Sequence, residues 1–517
     1  MMASPVNSGQ RWAVVPLAAA ATAAVLALYL PAVPLDLVGD DYQWVQHAHR
    51  AMHRPSLLLA DLGGFFRPAG TWTLVVDRLL WPWEPAGYHL TNLLLHLAAA
   101  ALLGCAAARL GVPPLGAAAA AAVWALSPWA SESALHPAVR FDTLLLAAWS
   151  ALIAIWPRPD EGWTGGRRAV AAGALLLALA SKETWVVTPA LVLALELLQR
   201  RRRGLAACVP AALVTAAVLV YSAVHVTLLS LGRPYFAVEA GVAAKLPQQL
   251  AAFFLLAPHR PAEFEFTPAG GVAVALVAAL AWWGWRRRSA AMGVGLVLLL
   301  LPTLPTLATP VLPLRYTAAS FAGLVLAGAG GIAEVLACLG PAWRRVGVVA
   351  AAAGSLAMGA WGAWRVGWEL EDARRVADAH ARLLNQASRI APLLPVGVPV
   401  VVVSTEEVRP LADIAAAPAG WPKPFFVRGN DPAGLVDSAA LFAWSLRDEE
   451  LDVSHIGDWS SPAARRPGRV LLYSAAGFQW MEGWIDDAGT FAAQLRAAGK
   501  PVRLVEVQHL ERRRRAS

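Results

Sequence analysis

Apolar stretches long enough to cross a bilayer follow one another for most of the chain, near residues 12–31, 86–108, 113–130, 141–157, 168–181, 184–199, 205–231, 268–285, 290–309, 317–338 and 346–364. About twenty helical residues span the hydrocarbon core. Inside it each backbone N–H and C=O must be satisfied within its own segment, so such a chain is committed to a helical bundle. The fifth and sixth stretches are short, which predicts tilted spans or a packed helical hairpin. With 57% hydrophobic and only 15% charged residues among 517, the chain is excluded from the ordinary soluble class.

The basic clusters orient the spans. Arg11, Arg109, Arg158 with Arg167 and Arg168, Arg200 to Arg203, Arg286 to Arg288, and Arg344 with Arg345 share one parity if the N-terminus is cytoplasmic. The expectation is about eleven spans, N-terminus inside and C-terminus outside. The first span reads as an uncleaved helix rather than a signal peptide, because alanine-rich runs recur throughout. Residues 246–257 are apolar but too short to cross and read as an interfacial or re-entrant helix on the outer face. The net charge of +8 is scattered in short clusters without a continuous basic face, which argues against nucleic acid. Cys105, Cys208 and Cys338 fall in apolar runs with no metal-ligand spacing, as expected of small buried hydrophobes rather than a disulfide framework.

Two larger pieces lie on the expected outer side. The first is the loop 32–85. The second is the tail, which divides the chain into a transmembrane domain, 1–366, and an extracytoplasmic domain, 367–517. The tail opens with a charged helical pattern and continues with PVGVPVVVVS (395–404) and RVLLYS (469–474), both with strand character. A helical DDAGTFAAQLRAAG (486–499) and a final strand PVRLVEVQ (501–508) complete a small α/β domain. The fold class expected is therefore an all-α polytopic membrane protein with a small C-terminal α/β domain.

Directly after the first span comes LDLVGDDYQW, with Asp40 and Asp41 adjacent. Carboxylates leaving a span at the surface are placed to take a proton from a hydroxyl; the competing reading is a helix N-cap in a Gly-Asp-Asp turn. FFRP sets Arg67 among aromatic rings, where its planar charge suits phosphate or lipid head groups. His47, His49 and His53 put only the last two on one helical face and lack a metal-site motif, so a polar helix face is the expectation.

His89, Asn92 and His96 form a polar stripe on the second span, with His96 read as helix–helix glue and His89 as within reach of a site. Between the third and fourth spans, Glu132, His136, Arg140 and Asp142 crowd a short loop. Arg140–Asp142 or Glu132–His136 pairing would tie that loop down. The functional alternative has Arg140 binding phosphate and Asp142 orienting an acceptor or a base. SKET brings Lys182 to hold a phosphate oxygen, with Glu183 to neutralise it, and LPLRY brings Arg315 and Tyr316 to head-group depth.

In order and spacing, GDDY, FFRP, GYHLTNLLLH, SESALHPAVRFDTLL, ASKET and LPLRY resemble the GT-C membrane glycosyltransferases. The likeness covers roughly residues 12–330 and is greatest to the branch of bacterial relatives of protein O-mannosyltransferases and tetratricopeptide-containing transmembrane O-mannosyltransferases. The resemblance implies a site at the outer face of a bacterial inner membrane, a polyprenyl-phosphate sugar donor and inverting transfer to an extracytoplasmic acceptor. It implies an essential acid at Asp40 or Asp41 and donor-phosphate cations among Arg67, Arg140, Lys182 and Arg315 with Tyr316, supported by His89, Glu132, His136, Asp142 and Glu183. No cofactor is required; a divalent metal is permitted but not indicated, since basic residues supply the charge. The tail departs from the resemblance, having no helical repeat, which leaves the acceptor class open. Three alternatives stand beside transfer: a lipid-linked sugar flippase or exporter, an O-antigen-type polymerase or ligase, and a structural membrane protein whose soluble tail is its only functional part.

Overall fold

The computed structural model describes residues 8–38, 41–60, 65–201, 204–228, 242–256, 267–306 and 314–390, with the strand segments 400–404, 451–456, 469–474, 477–480 and 503–509. The helices are α1 (Ser8–Tyr29), α2 (Asp41–His53), α3 (Pro68–Leu80), α4 (Pro85–Arg109), α5 (Pro114–Ala125), α6 (Pro128–Leu135), α7 (Arg140–Ile155), α8 (Gly165–Ser181), α9 (Thr188–Ala194), α10 (Leu205–Leu228), α11 (Val242–Phe254), α12 (Pro268–Arg287), α13 (Ala290–Leu300), α14 (Thr303–Thr306), α15 (Ala318–Cys338) and α16 (Pro341–Ile390). Prolines open α3, α4, α5, α6, α12 and α16. At the first helical position the missing N–H costs nothing and the fixed φ already suits the helix.

Among the described residues, six helical stretches are long and apolar enough to cross a membrane: 14–32, 85–109, 137–155, 268–287, 318–338 and 341–371. Shorter apolar helices cover Pro114–Ala125, Leu205–Tyr221 and Ala290–Leu300. The stretch expected at 113–130 is broken at Leu126 and Ser127, where α5 ends and α6 begins. Segment 184–199 is likewise not one regular helix: a 3-10 turn (Glu183–Val187) leads into α9, which ends in a π-helical turn (Leu195–Gln199). The last expected span and the charged helix after it are one 50-residue helix, α16, about 75 Å long at 1.5 Å per residue. No proline interrupts it beyond Pro341, so its hydrogen-bond ladder runs unbroken.

The chain forms two compact units. The first comprises Met1–Pro31, Leu58–Trp72 and His89–Glu369. Within it α7 packs on α8, α1 on α5, α11 on α12, and α13 on α15. Glycine sets the last of these contacts: a Cβ on Gly323 would stand 2.2 Å from Leu299 N, and one on Gly295 2.5 Å from Ala327 N. Small residues of this kind let two backbones meet where no water-driven force holds helices together. Leu176, Leu205, Leu213, Trp285, Val349 and Leu356 are exposed, as on the outside of a bundle solvated by lipid. The three cysteines are free and exposed, against the expectation of burial. An apolar run in a membrane bundle has a lipid-facing side as well as a core side, and hydropathy alone does not separate them.

The second unit comprises Ala32–Leu57, Thr73–Tyr88 and Leu370–Ser517. Val38 packs there against Ala377 of α16, with Leu35 beside them. Its strands are β1 (Val400–Ser404), β2 (Leu451–Ile456), β3 (Arg469–Ser474), β4 (Gly477–Trp480) and β5 (Arg503–His509), ordered β2-β5-β1-β3-β4. β1 and β3 run parallel, in register Val402 to Leu471; the other neighbours are antiparallel. The helix expected over 486–499 lies outside the described residues.

Candidate functional site

Four short segments of the first unit converge at helix termini. α7 and α8 pack together, and Asp142 in the first turn of α7 forms an ion pair with Lys182, the residue that ends α8. Both are buried. Lys182 adopts an extended backbone, φ −157° and ψ 152°, and its Nζ stands 4.2 Å from the centre of the Tyr316 ring. Tyr316 comes from the 3-10 turn Leu314–Thr317 that leads into α15.

The next residue, Glu183, opens its 3-10 turn and faces the other way. Arg67 donates Nε–H to Oε1 at 3.1 Å and an Nη2–H to Oε2 at 2.9 Å, the two-pronged geometry that suits guanidinium to carboxylate. The Arg67 guanidinium lies 4.3 Å from the Phe65 ring and 4.9 Å from the Phe141 ring. Gly70, one turn into α3, makes room for that second ring: a Cβ there would fall 1.8 Å from Phe141 Cε1. The two pairs are thus tied twice through the chain, by Lys182–Glu183 on one side and Phe141–Asp142 on the other. Burial pulls the Arg67 guanidinium down, but the Glu183 carboxylate outweighs it and holds the group above its ordinary value. Burial likewise pushes Glu183 up, and Arg67 more than reverses that, leaving the carboxyl below its ordinary range.

The loop between α6 and α7 is held by the polar stripe on α4. Asn92 Nδ2 donates to the carbonyls of Ser133 (2.8 Å), Ala134 (2.8 Å) and His136 (3.1 Å), and His89 Nδ1–H to that of Leu135 (3.0 Å). These carbonyls end α6 and have no partner within it. His89 therefore supports the loop. His96 donates Nε2–H to the Ala125 carbonyl at 3.0 Å and stacks on Trp124, which makes it a link between α4 and α5. Glu132 and His136 are buried, and the His136 backbone N–H donates to the Glu132 carbonyl at 3.0 Å. Arg140 is fully buried, with its Nε–H on the Pro137 carbonyl at 3.1 Å.

Two pairings differ from the sequence reading. Asp142 takes Lys182 from another segment in place of Arg140 two residues away, because both side chains start the same helix and α8 delivers its cation directly opposite. Glu183 neutralises Arg67 and not its neighbour Lys182, since adjacent residues leaving an extended backbone diverge.

In the second unit, Asp41 is the first residue of α2 and is fully buried. Its Oδ2 accepts the Val38 N–H at 3.1 Å, and its own N–H donates to the Val38 carbonyl at 3.2 Å, which fixes the turn before the helix. Asp40 lies outside the described residues. The backbone of Arg315 lies in the Leu314–Thr317 turn and its side chain is outside the described residues. His49 and His53 share a face, rings 5.0 Å apart, while His47 turns inward and donates Nε2–H to the Leu57 carbonyl at 3.1 Å.

Sequence reasoning passed over Phe141 and Gly70, whose part is visible only once α3 and α7 are side by side. It also passed over Arg365 and Glu369, which form a buried ion pair within α16 at 3.3 Å. Their four-residue spacing inside WRVGWELE was the available signal.

No family model matches the sequence, and no curated protein matches it. Solved structures do match. The crystal structure of ArnT from Cupriavidus metallidurans in the apo state is similar at 17% identity, over 98% of this chain and 99% of that one, with a TM-score of 0.51. The crystal structure of the same protein bound to undecaprenyl phosphate is similar at 16% identity, over 96% and 97% of the two chains, also with a TM-score of 0.51. The chain shares that fold along nearly its whole length.

Proposed function

We propose that the chain is a GT-C membrane glycosyltransferase that moves a sugar from a polyprenyl-phosphate carrier to an extracytoplasmic acceptor with inversion of configuration. The observation that carries this reading is the pair of buried cations, Lys182 and Arg67, joined through Tyr316, Phe141 and their carboxylates, on a fold shared with a protein crystallised with undecaprenyl phosphate. In this reading the site faces the outside of a bacterial inner membrane, the chain crosses about eleven times from a cytoplasmic N-terminus, and the tail 367–517 is an extracytoplasmic α/β domain that serves acceptor or partner binding.

The chemistry follows from the charges. The acceptor hydroxyl attacks the anomeric carbon from the face opposite the phosphate. Its new C–O bond forms as the bond from that carbon to phosphate oxygen breaks, and the electron pair of the broken bond leaves with polyprenyl phosphate. The phosphate gains one negative charge in that step, and fixed cations nearby stabilise it more in the transition state than in the ground state. Lys182, Arg140 and Arg315 are the cations available to the phosphate, while Arg67, held by both oxygens of Glu183, adds its charge from a distance and positions the Lys182 backbone. The acceptor proton passes to a carboxylate, Asp40 or Asp41. Ion pairs gathered at helix termini, as here, favour transfer over export, which would place polar groups deep within several spans.

The test is incubation of purified protein with radiolabelled polyprenyl-phosphate sugars and cell-envelope fractions, comparing wild type with Asp40→Asn and Asp41→Asn after each is checked for folding. Loss of the base is expected to cost on the order of 10²-fold in transfer. Equal transfer by all three proteins would refute the assignment of the base, and no transfer from any donor by wild type would refute the reaction.

A further inference from the structure

Resting on the transfer reading, we infer that Asp142 is a placeholder anion: the donor phosphate takes its position on Lys182, and the Arg67–Glu183 pair stays closed. The two pairs differ in construction. Arg67 engages both oxygens of Glu183 through two N–H groups fixed in one plane, and its guanidinium also lies against the Phe65 and Phe141 rings. To release it, two hydrogen bonds must break and a guanidinium must leave two aromatic contacts. That pair braces the segment before α3 against the turn after α8.

Lys182 is a point charge on a flexible stem, and its ammonium reorients by bond rotation alone. One side of its neighbourhood is the Tyr316 ring, which attracts a cation of any pairing and remains in place when the anion changes. Another neighbour is Asp142, in the first turn of α7, where the helix dipole stabilises a carboxylate with or without a partner. Lys182 and Asp142 are both buried, so a bare ammonium there would be costly, and Asp142 removes that cost until phosphate arrives. The donor phosphodiester matches the single charge of the carboxylate it replaces and gains a second as its bond to the sugar breaks. Sugar-free undecaprenyl phosphate is a monoester with more charge and three terminal oxygens, so phosphate competes for Lys182 most strongly in the transition and product states. Asp142 acts through Lys182 and is a positioning residue in this scheme.

The consequence runs opposite to that of a binding or purely structural residue: removing the Asp142 charge strengthens binding. The measurement is the affinity of the full chain, in nanodiscs, for undecaprenyl phosphate without sugar. Asp142→Asn is expected to bind more tightly than wild type, on the order of tenfold, since the competing anion is gone. Asp142→Glu, which keeps the charge, should stay near wild type, and Lys182→Met should lose most binding whether or not Asp142 is also changed. Glu183→Gln should produce no tightening. Infrared difference spectra of wild type give a second readout that needs no folded variant: adding undecaprenyl phosphate should shift a carboxylate stretching band.

Binding by Asp142→Asn equal to or weaker than wild type, or lipid binding with no carboxylate band change, would overturn the exchange and leave the transfer reading standing. Failure of wild type to bind undecaprenyl phosphate at all would overturn both.

Discussion

Breaking the Arg67–Glu183 brace tests whether the four segments are held together as the geometry implies. Glu183→Gln leaves the guanidinium facing a neutral amide, and Arg67→Leu leaves the carboxylate without its cation. Removing one partner of a buried pair costs roughly 3–5 kcal/mol. The Glu183 side chain is 27% exposed, so water recovers part of that, and about 2–3 kcal/mol is expected for each single change. The double variant Arg67→Leu, Glu183→Leu leaves no orphan charge and should cost less than the two singles summed, by about 2 kcal/mol. The assay is SDS titration of the purified protein in mixed micelles, followed by tryptophan fluorescence. The pair also fixes a pH dependence. Glu183 has its carboxyl lowered in the folded chain, so its contribution is complete above the ordinary carboxylate range and is lost as pH falls through the lowered value, while Arg67 stays charged throughout. Strictly additive costs for the two single changes, unaltered in acid, would refute the brace.

Two further outcomes follow from packing and charge away from the site. Gly323→Leu drives a side chain into the backbone of α13, where a Cβ would already meet Leu299 N at 2.2 Å; the expected result is loss of folded protein by detergent size-exclusion chromatography, and a normal elution profile would count against the close helix contact. Glu161 is held at about 2, chiefly by its hydrogen bond with Arg109 and further by the Arg158 backbone N–H and the charges of Arg109 and Arg167, against some burial. Its folded value lies below the ordinary 4.5, so its stabilisation is complete above about 4.5 and disappears as pH falls towards 2. The stability gap between wild type and Glu161→Gln should therefore be flat from pH 5 to 8 and shrink below about 4.5, measured by the same titration; a gap that widens in acid would contradict the sign.

The helices were legible because bilayer length and proline punctuation are local signals: α4, α7 and α12 begin and end within a few residues of the apolar stretches that announced them. The partners of the charges were not. From the sequence, Arg140 and Asp142 are two residues apart and invite pairing, and so do Lys182 and Glu183. The structure crosses both, because the choice depends on α7 lying against α8 and on Gly70 admitting the Phe141 ring, which are relations between distant segments. The polar stripe on α4 was visible as a stripe. Its task as the cap of α6 was not, since α6 itself was hidden inside one apolar run and only its break at Leu126 and Ser127 separates it from α5.

On the proposed reading the cluster has to stand before its phosphate arrives, and that requirement accounts for its carboxylates. Two bare cations buried at a membrane surface would repel each other and lose their hydration, at a cost no helix packing readily offsets. Pairing Arg67 with Glu183 and Lys182 with Asp142 neutralises these two cations. Neutrality achieved in this way does two different jobs. In the exchange inferred above, the carboxylate that binds a guanidinium through both oxygens makes scaffold, and the one that meets an ammonium makes a reversible stopper. Because Lys182 and Glu183 are adjacent, the scaffold pair holds the backbone from which the stopper cation extends. Damage to Arg67 should then weaken phosphate binding at Lys182 without any contact between Arg67 and the ligand.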